Sequence, residues 1–158
     1  MFLYSLAESF VDNVIRDKVS EPAIGSVLYC DLAGGLGEHS GIYIGNDQIV
    51  HLNGNGRIEI ANPYQFLNRL GGNNPAVTIY VSCTEETPVG CKIAAQRARS
   101  MVGESRNYNV ILDNCHQFTS GCLTGNWENA DNFVMFLKLT TSNTLGSNNW
   151  RSWEHKVY

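Results

Sequence analysis

The chain has 158 residues, of which 43% are hydrophobic and 16% charged, and its formal net charge is -4. That length suits one domain with a sizeable core that needs no staples. The negative balance supplies no basic field for nucleic acid, and no stretch approaches the roughly 20 apolar residues that span a bilayer.

The five cysteines, Cys30, Cys83, Cys91, Cys115 and Cys122, are odd in number and contain no Cys-x-x-Cys pair. A domain of this size does not depend on disulfides, so a reducing setting is expected. The N-terminus carries apolar residues, but Glu8 interrupts them and no basic run precedes them. It does not read as a secretory signal, and the expected location is cytoplasmic.

In chain order, Leu3, Leu6, Phe10, Val11 and Val14 recur at three-and-four spacing. They predict an amphipathic helix over 3–16, within an N-terminal segment 1–20. Ser26 to Leu32 reads as a strand, and Gly34, Gly35 and Gly37 as a flexible loop. His39 to Ile44 and Gln48 to Leu52 are strands joined at Gly45-Asn46-Asp47, residues that accept positive φ at low cost. Arg57 to Ile60 is a further strand after the turn at Asn53 to Gly56.

Asn62-Pro63-Tyr64-Gln65 reads as a helix start with a capping box, and Gly71-Gly72 as its stop. Phe66, Leu67 and Leu70 form its apolar stripe. Ala76 to Cys83 is the strongest strand signal. A helix is expected from Thr87-Pro88 to about Met101-Val102, where Gly103 ends it. Tyr108 to Leu112 is a short apolar approach. The next helix is capped by Asn114, with Cys115 as its first residue and Gln117 at the reciprocal capping position. A last helix spans roughly 129–139, and 140–158 reads as a polar tail with Trp150 and Trp153. Hairpins beside segregated helices imply a single α+β domain over 1–158.

Three residues carry the chemistry. Free cysteine has a pKa near 8.5, and a helix N-terminus lowers it because amide donors and the helix field favour the thiolate. Cys115 meets that condition, and the same helix start offers N–H groups to an oxyanion. His39, at a strand edge after the glycine loop, is the expected base. His51, twelve residues on across a hairpin turn, is the expected orienting partner. Asn114, Tyr29 and Tyr43 are candidate oxyanion donors or supporting residues. His116 points about 100° away from Cys115 around the helix and is expected in a supporting or surface position. The Gly34 to Gly37 loop lacks the following Lys-Ser or Lys-Thr of a phosphate loop. His39, His51, Cys115 and His116 lack a compact metal-ligand spacing, so neither cofactor nor metal is expected. Trp127, Trp150 and Trp153, if exposed, mark a surface for a partner protein through the C-terminal tail.

A His in His39-Ser40-Gly41-Ile42-Tyr43-Ile44-Gly45, a His in Val50-His51-Leu52 and the run Asn114-Cys115-His116-Gln117-Phe118 together resemble the lecithin:retinol acyltransferase-like group. That group is a permuted branch of the NlpC/P60 papain-like superfamily. The likeness covers about Pro22 to Gly125, giving a catalytic core over 22–125. It implies a papain-like antiparallel sheet packed on the nucleophile's helix. It implies His39 as base, His51 as its orienting residue and Cys115 as nucleophile. The family run is Asn-Cys-Glu-His-Phe, so His116 and Gln117 are departures. The implied activity is acyl hydrolysis or transfer through a Cys115 thioester, on an acyl ester such as a lipid. The alternatives are a peptide amidase or cysteine peptidase on the same triad, or a non-enzymatic binding protein of the same fold.

Overall fold

The sheet follows from short alternating strands separated by Gly- and Asn-rich turns. The structure, a computed structural model, describes residues 18–31, 38–68, 78–106 and 114–156, with Asn114 described in its backbone alone. The expected helix over 3–16, the Gly34–Gly37 loop, the Gly71-Gly72 stop and the 108–112 approach segment lie outside the described residues.

Seven strands are present among those residues: β1 Val27–Asp31, β2 Glu38–Gly45, β3 Gln48–Leu52, β4 Ile58–Ala61, β5 Ile79–Thr84, β6 Thr87–Pro88 and β7 Asn149–Ser152. The order is β4-β3-β2-β1-β5-β6, and β7 pairs with β5. Every strand pair is antiparallel. The first four strands form a meander. The β2–β3 turn places Asn46 at φ 53 and Asp47 at φ 55, the two positive angles that a tight hairpin with native twist demands.

The four helices among the described residues follow the same local logic. The capping box of α1, Pro63–Leu67, forms as its sequence implies. Asn62 Oδ1 accepts from the Gln65 N–H at 2.8 Å, and Gln65 Oε1 accepts from the Asn62 N–H at 2.9 Å. α2 runs Lys92–Met101, five residues later than expected. Thr87-Pro88 forms β6 instead. Glu85, at φ 53, turns the chain straight back onto β5, and an edge strand tolerates the missing proline donor.

α3 spans Asn114–Thr124. α4 spans Val134–Leu145 rather than 129–139, because Asn126 and Asn129 spend their side chains on local turns. The expected polar tail is corrected in the same way. It holds the end of α4 and then β7, which pairs Tyr80 with Ser152 and Ser82 with Trp150. Trp150 and Trp153 are buried, so neither presents a surface to a partner.

The sheet divides the core into two layers. Val27, Tyr29, Ile42, Ile44, Val50 and Leu52 face α2, α3 and α4 through Ala94, Ala98, Phe118, Cys122 and Leu137. Leu28, Cys30, Tyr43, Ile49 and Val81 face the other way, against Phe66 and Leu67 of α1 and against Val19 and Trp153. Strand alternation therefore sends Ser40 toward α3 and His39 toward α1.

Candidate active site

The site lies where β2 begins and α3 starts. On β2 and β3, His39 and His51 share the α1 face. Their rings meet edge to face with centroids 4.9 Å apart, and His39 Nε2 lies 2.6 Å from His51 Nδ1. Both residues are buried. Gly41, two residues after His39 on β2, stands beside His51 of β3. A Cβ there would lie 2.8 Å from Ile49 Cγ2 and 3.3 Å from His51 Cβ, so only glycine lets the second imidazole lean onto the first. Phe66 of α1 covers the pair, 4.9 Å from the His39 ring and 5.7 Å from the His51 ring. This apolar cover excludes water and strengthens the polar contact beneath it.

Register supplies a further neighbour. His51 pairs directly with Glu59 across β3 and β4, and Glu59 Oε1 sits 3.2 Å from His51 Nε2. The same two residues line an open cleft of about 510 Å³ with Asn53, Asn55 and Gln65. Sequence reading missed Glu59. The signal was the turn at Asn53–Gly56, since a hairpin closed there sets residue 51 opposite residue 59.

Cys115 is buried near the N-terminus of α3, and its Sγ lies 4.0 Å from the Glu38 carbonyl oxygen. Glu38 immediately precedes His39, so the thiol stands over the start of the strand that carries the first histidine. The helix includes Asn114 as its first residue. The capping role expected of that side chain lies outside the described residues. Gln117, expected at the reciprocal capping position, reaches Asn129: its Nε2 donates to the Asn129 carbonyl at 2.8 Å, and Asn129 Nδ2 donates to the Gln117 carbonyl at 3.0 Å.

His116 is not a surface residue. It is buried, with Nδ1 2.8 Å from Ser40 Oγ, and Ser40 Oγ is 2.9 Å from Thr119 Oγ1. Thr119 in turn donates to the Cys115 carbonyl at 2.8 Å. This polar cluster ties the first turn of α3 to the strand position next to His39. At the other end of the helix, Arg97 Nη1 donates to the carbonyls of Cys122 and Leu123, both at 3.1 Å. It satisfies acceptors that a helix C-terminus leaves open. Gly121 admits the Trp127 ring, which a Cβ would meet at 2.3 Å. The helix is thus held at both ends and along its outer side.

The two tyrosines serve elsewhere. Tyr29 is stacked on Tyr80 at 4.8 Å and edged by Trp150 at 5.3 Å, and its hydroxyl accepts from Lys138 Nζ at 3.0 Å. The Tyr43 hydroxyl donates to Glu21 Oε1 at 3.1 Å and accepts from the Asp47 N–H at 3.3 Å. Burial, followed by the Glu21 carboxylate, pushes its pKa up to about 12. Four residues along an extended strand separate it from His39, about 13 Å, so its hydroxyl is remote from the Cys115 end.

All five cysteines are thiols, and two on α3 contrast. Cys122, two turns beyond Cys115, sits in the core, where burial pushes its pKa up to about 12. Among the described residues no group of three or more His, Cys, Asp or Glu side chains is arranged to hold a metal ion. No helix among them is long and apolar enough to cross a membrane.

The fold is α+β, with a thiol at a helix head beside an antiparallel sheet that bears two imidazoles in contact. The profile of the lecithin retinol acyltransferase family matches residues 20–128, and the chain belongs to that family. Membership implies acyltransferase activity in general terms. No curated protein matches the chain.

Proposed function

We propose that the protein is a cysteine-dependent acyl hydrolase or acyltransferase, with Cys115 as nucleophile, His39 as base and His51 as the residue that orients His39. The observation that carries this reading is the 2.6 Å contact between His39 and His51 at the strand end over which Cys115 stands. In the first step the Cys115 sulfur bonds to the acyl carbon while His39 takes the thiol proton. The tetrahedral oxyanion is met by N–H groups at the start of α3. The carbon–oxygen or carbon–nitrogen bond then breaks, and His39 returns the proton to the leaving alcohol or amine. Water or a second alcohol or amine resolves the thioester, with His39 again moving the proton. The permuted papain-like arrangement fits this order of parts, with the helix-borne thiol and the strand-borne histidines reaching one rim from separate layers.

Lipid esters are the first acyl donors to test, because the family carries that chemistry in its name. Intact-protein mass spectrometry after exposure to phospholipid, acyl-peptide and cell-wall peptide pools should find an acyl adduct on Cys115, absent in Cys115→Ala and strongly reduced in His39→Ala. An adduct from phospholipid alone would separate the ester reading from a peptide amidase. Iodoacetamide at pH 7 should label Cys115 at least tenfold faster than Cys91, which is more exposed. Equal rates, with no adduct from any pool, would refute the catalytic reading.

A further inference from the structure

The two-histidine contact leaves open which nitrogen of each ring carries its proton, and the neighbour at the outer end decides it. We propose that Glu59 is a positioning residue that fixes both tautomers and makes Nδ1 the basic nitrogen of His39; this rests on the acyl-enzyme reading above. A carboxylate only accepts. Glu59 Oε1 is 3.2 Å from His51 Nε2, an ion-pair distance without hydrogen-bond alignment, so it is the carboxylate's charge that favours a hydrogen on that nitrogen and leaves His51 Nδ1 as an acceptor. His39 Nε2, 2.6 Å away, must then be the donor, and the lone pair of His39 falls on Nδ1. A neutral His51 alone would be free to take either tautomer. The Glu-His-His line removes that freedom, in the way that an outer carboxylate orients the histidine of a serine protease triad.

The proton balance is simple. Nδ1 of His39 takes the thiol proton as the sulfur–carbon bond forms and returns it to the leaving oxygen or nitrogen. No proton reaches Glu59, whose charge acts only by favouring the imidazolium stage. Other groups lie near the pair, Cys30 on its face and Asp31 and Glu38 on the opposite face of the sheet. Cys30 lies opposite His39 on β1, Asp31 and Glu38 sit at the adjoining strand ends, and Cys115 approaches from α3. From α1 come the uncharged Phe66 and Gln65. Glu59 is the carboxylate in register with His51. Its side chain is 46% exposed, so solvent screens it and the effect is modest.

The test reads tautomers and charge separately. Nitrogen-15 spectra of histidine-labelled protein at neutral pH should show His51 protonated at Nε2 and His39 protonated at Nε2. Glu59→Gln keeps an acceptor and removes the charge. It should slow iodoacetamide labelling of Cys115 at pH 6 by roughly three- to tenfold. Labelling at pH 9.5, where thiolate forms without help, should stay within about twofold, and the urea midpoint should be preserved. Protonation of His51 at Nδ1 in the unmodified protein, or the same labelling profile with and without the Glu59 carboxylate, would overturn the proposal. If no acyl adduct ever forms on Cys115, the acyl-enzyme reading fails, while the spectra still decide the role of Glu59.

Discussion

At the scale of single residues, the chain sets two thiols of one helix in opposite circumstances. Cys115 and Cys122 are seven residues apart, two turns, and so share a helix side. Cys115 lies at the N-terminal end, where the helix field favours an anion. Cys122 lies among Phe118, Leu123 and Ala98, and burial pushes its pKa up to about 12, well above that of an ordinary thiol. Tyr43 is raised from 10.0 to about 12 by burial. For both groups the folded state keeps the proton longer than the unfolded chain. Their contribution to stability is therefore complete below about pH 9 and is lost as pH rises toward 12. Urea midpoints should hold steady from pH 7 to 9 and fall above that. Cys122→Ala should flatten the first part of the fall. A midpoint unchanged between pH 8 and 11 would contradict the assignment.

At the scale of elements, α3 depends on polar ties that its composition does not advertise. The Ser40, His116 and Thr119 cluster lies in a buried layer where a lost partner leaves a desolvated group behind. His116→Ala should cost about 1–3 kcal/mol. It should also slow Cys115 labelling, because the first turn of α3 loses its anchor on β2. His116→Ala and Ser40→Ala combined should cost less than the sum of the two, since they break one network. Additive losses would mean that the two residues act independently. The helix starts show how far local rules reach. Asn62 with Gln65 was legible as a capping box because all of its partners lie within three residues. Thr87-Pro88 carried the same kind of helix-start signal and became an edge strand, because β5 was there to receive it.

At the scale of the molecule, the chain closes its sheet from both ends. β7 returns to flank β5, and Trp150 then covers Tyr29 while Trp153 covers Tyr43, one on each side of the sheet. Val19 joins the same edge through Trp153. Trp153→Ala should destabilise the fold by about 3–5 kcal/mol, as loss of a large buried aromatic does. It should leave the Cys115 labelling rate of the folded fraction unchanged, because Trp153 packs on Tyr43, at the end of β2 away from His39. A selective loss of Cys115 reactivity without a shift in the denaturation midpoint would show instead that the β7 edge bears on the site. The polar look of 140–158 misled because a four-residue strand buries only alternate side chains. Asn149 and Arg151 face outward and hide the inward pair, Trp150 and Ser152.

The sequence by itself determined what is local: the hairpin turn at Asn46-Asp47, the capping box of α1, the thiol near a helix start and the two histidines on neighbouring strands. Each rests on interactions within a few residues, or on the period-two pattern of one strand. Only the tertiary structure decided that His51 meets Glu59, that His116 is an anchor rather than surface, and that the last strand completes the sheet. Those outcomes depend on strand register and on which layer each face meets, and both are set by contacts between residues far apart in the chain.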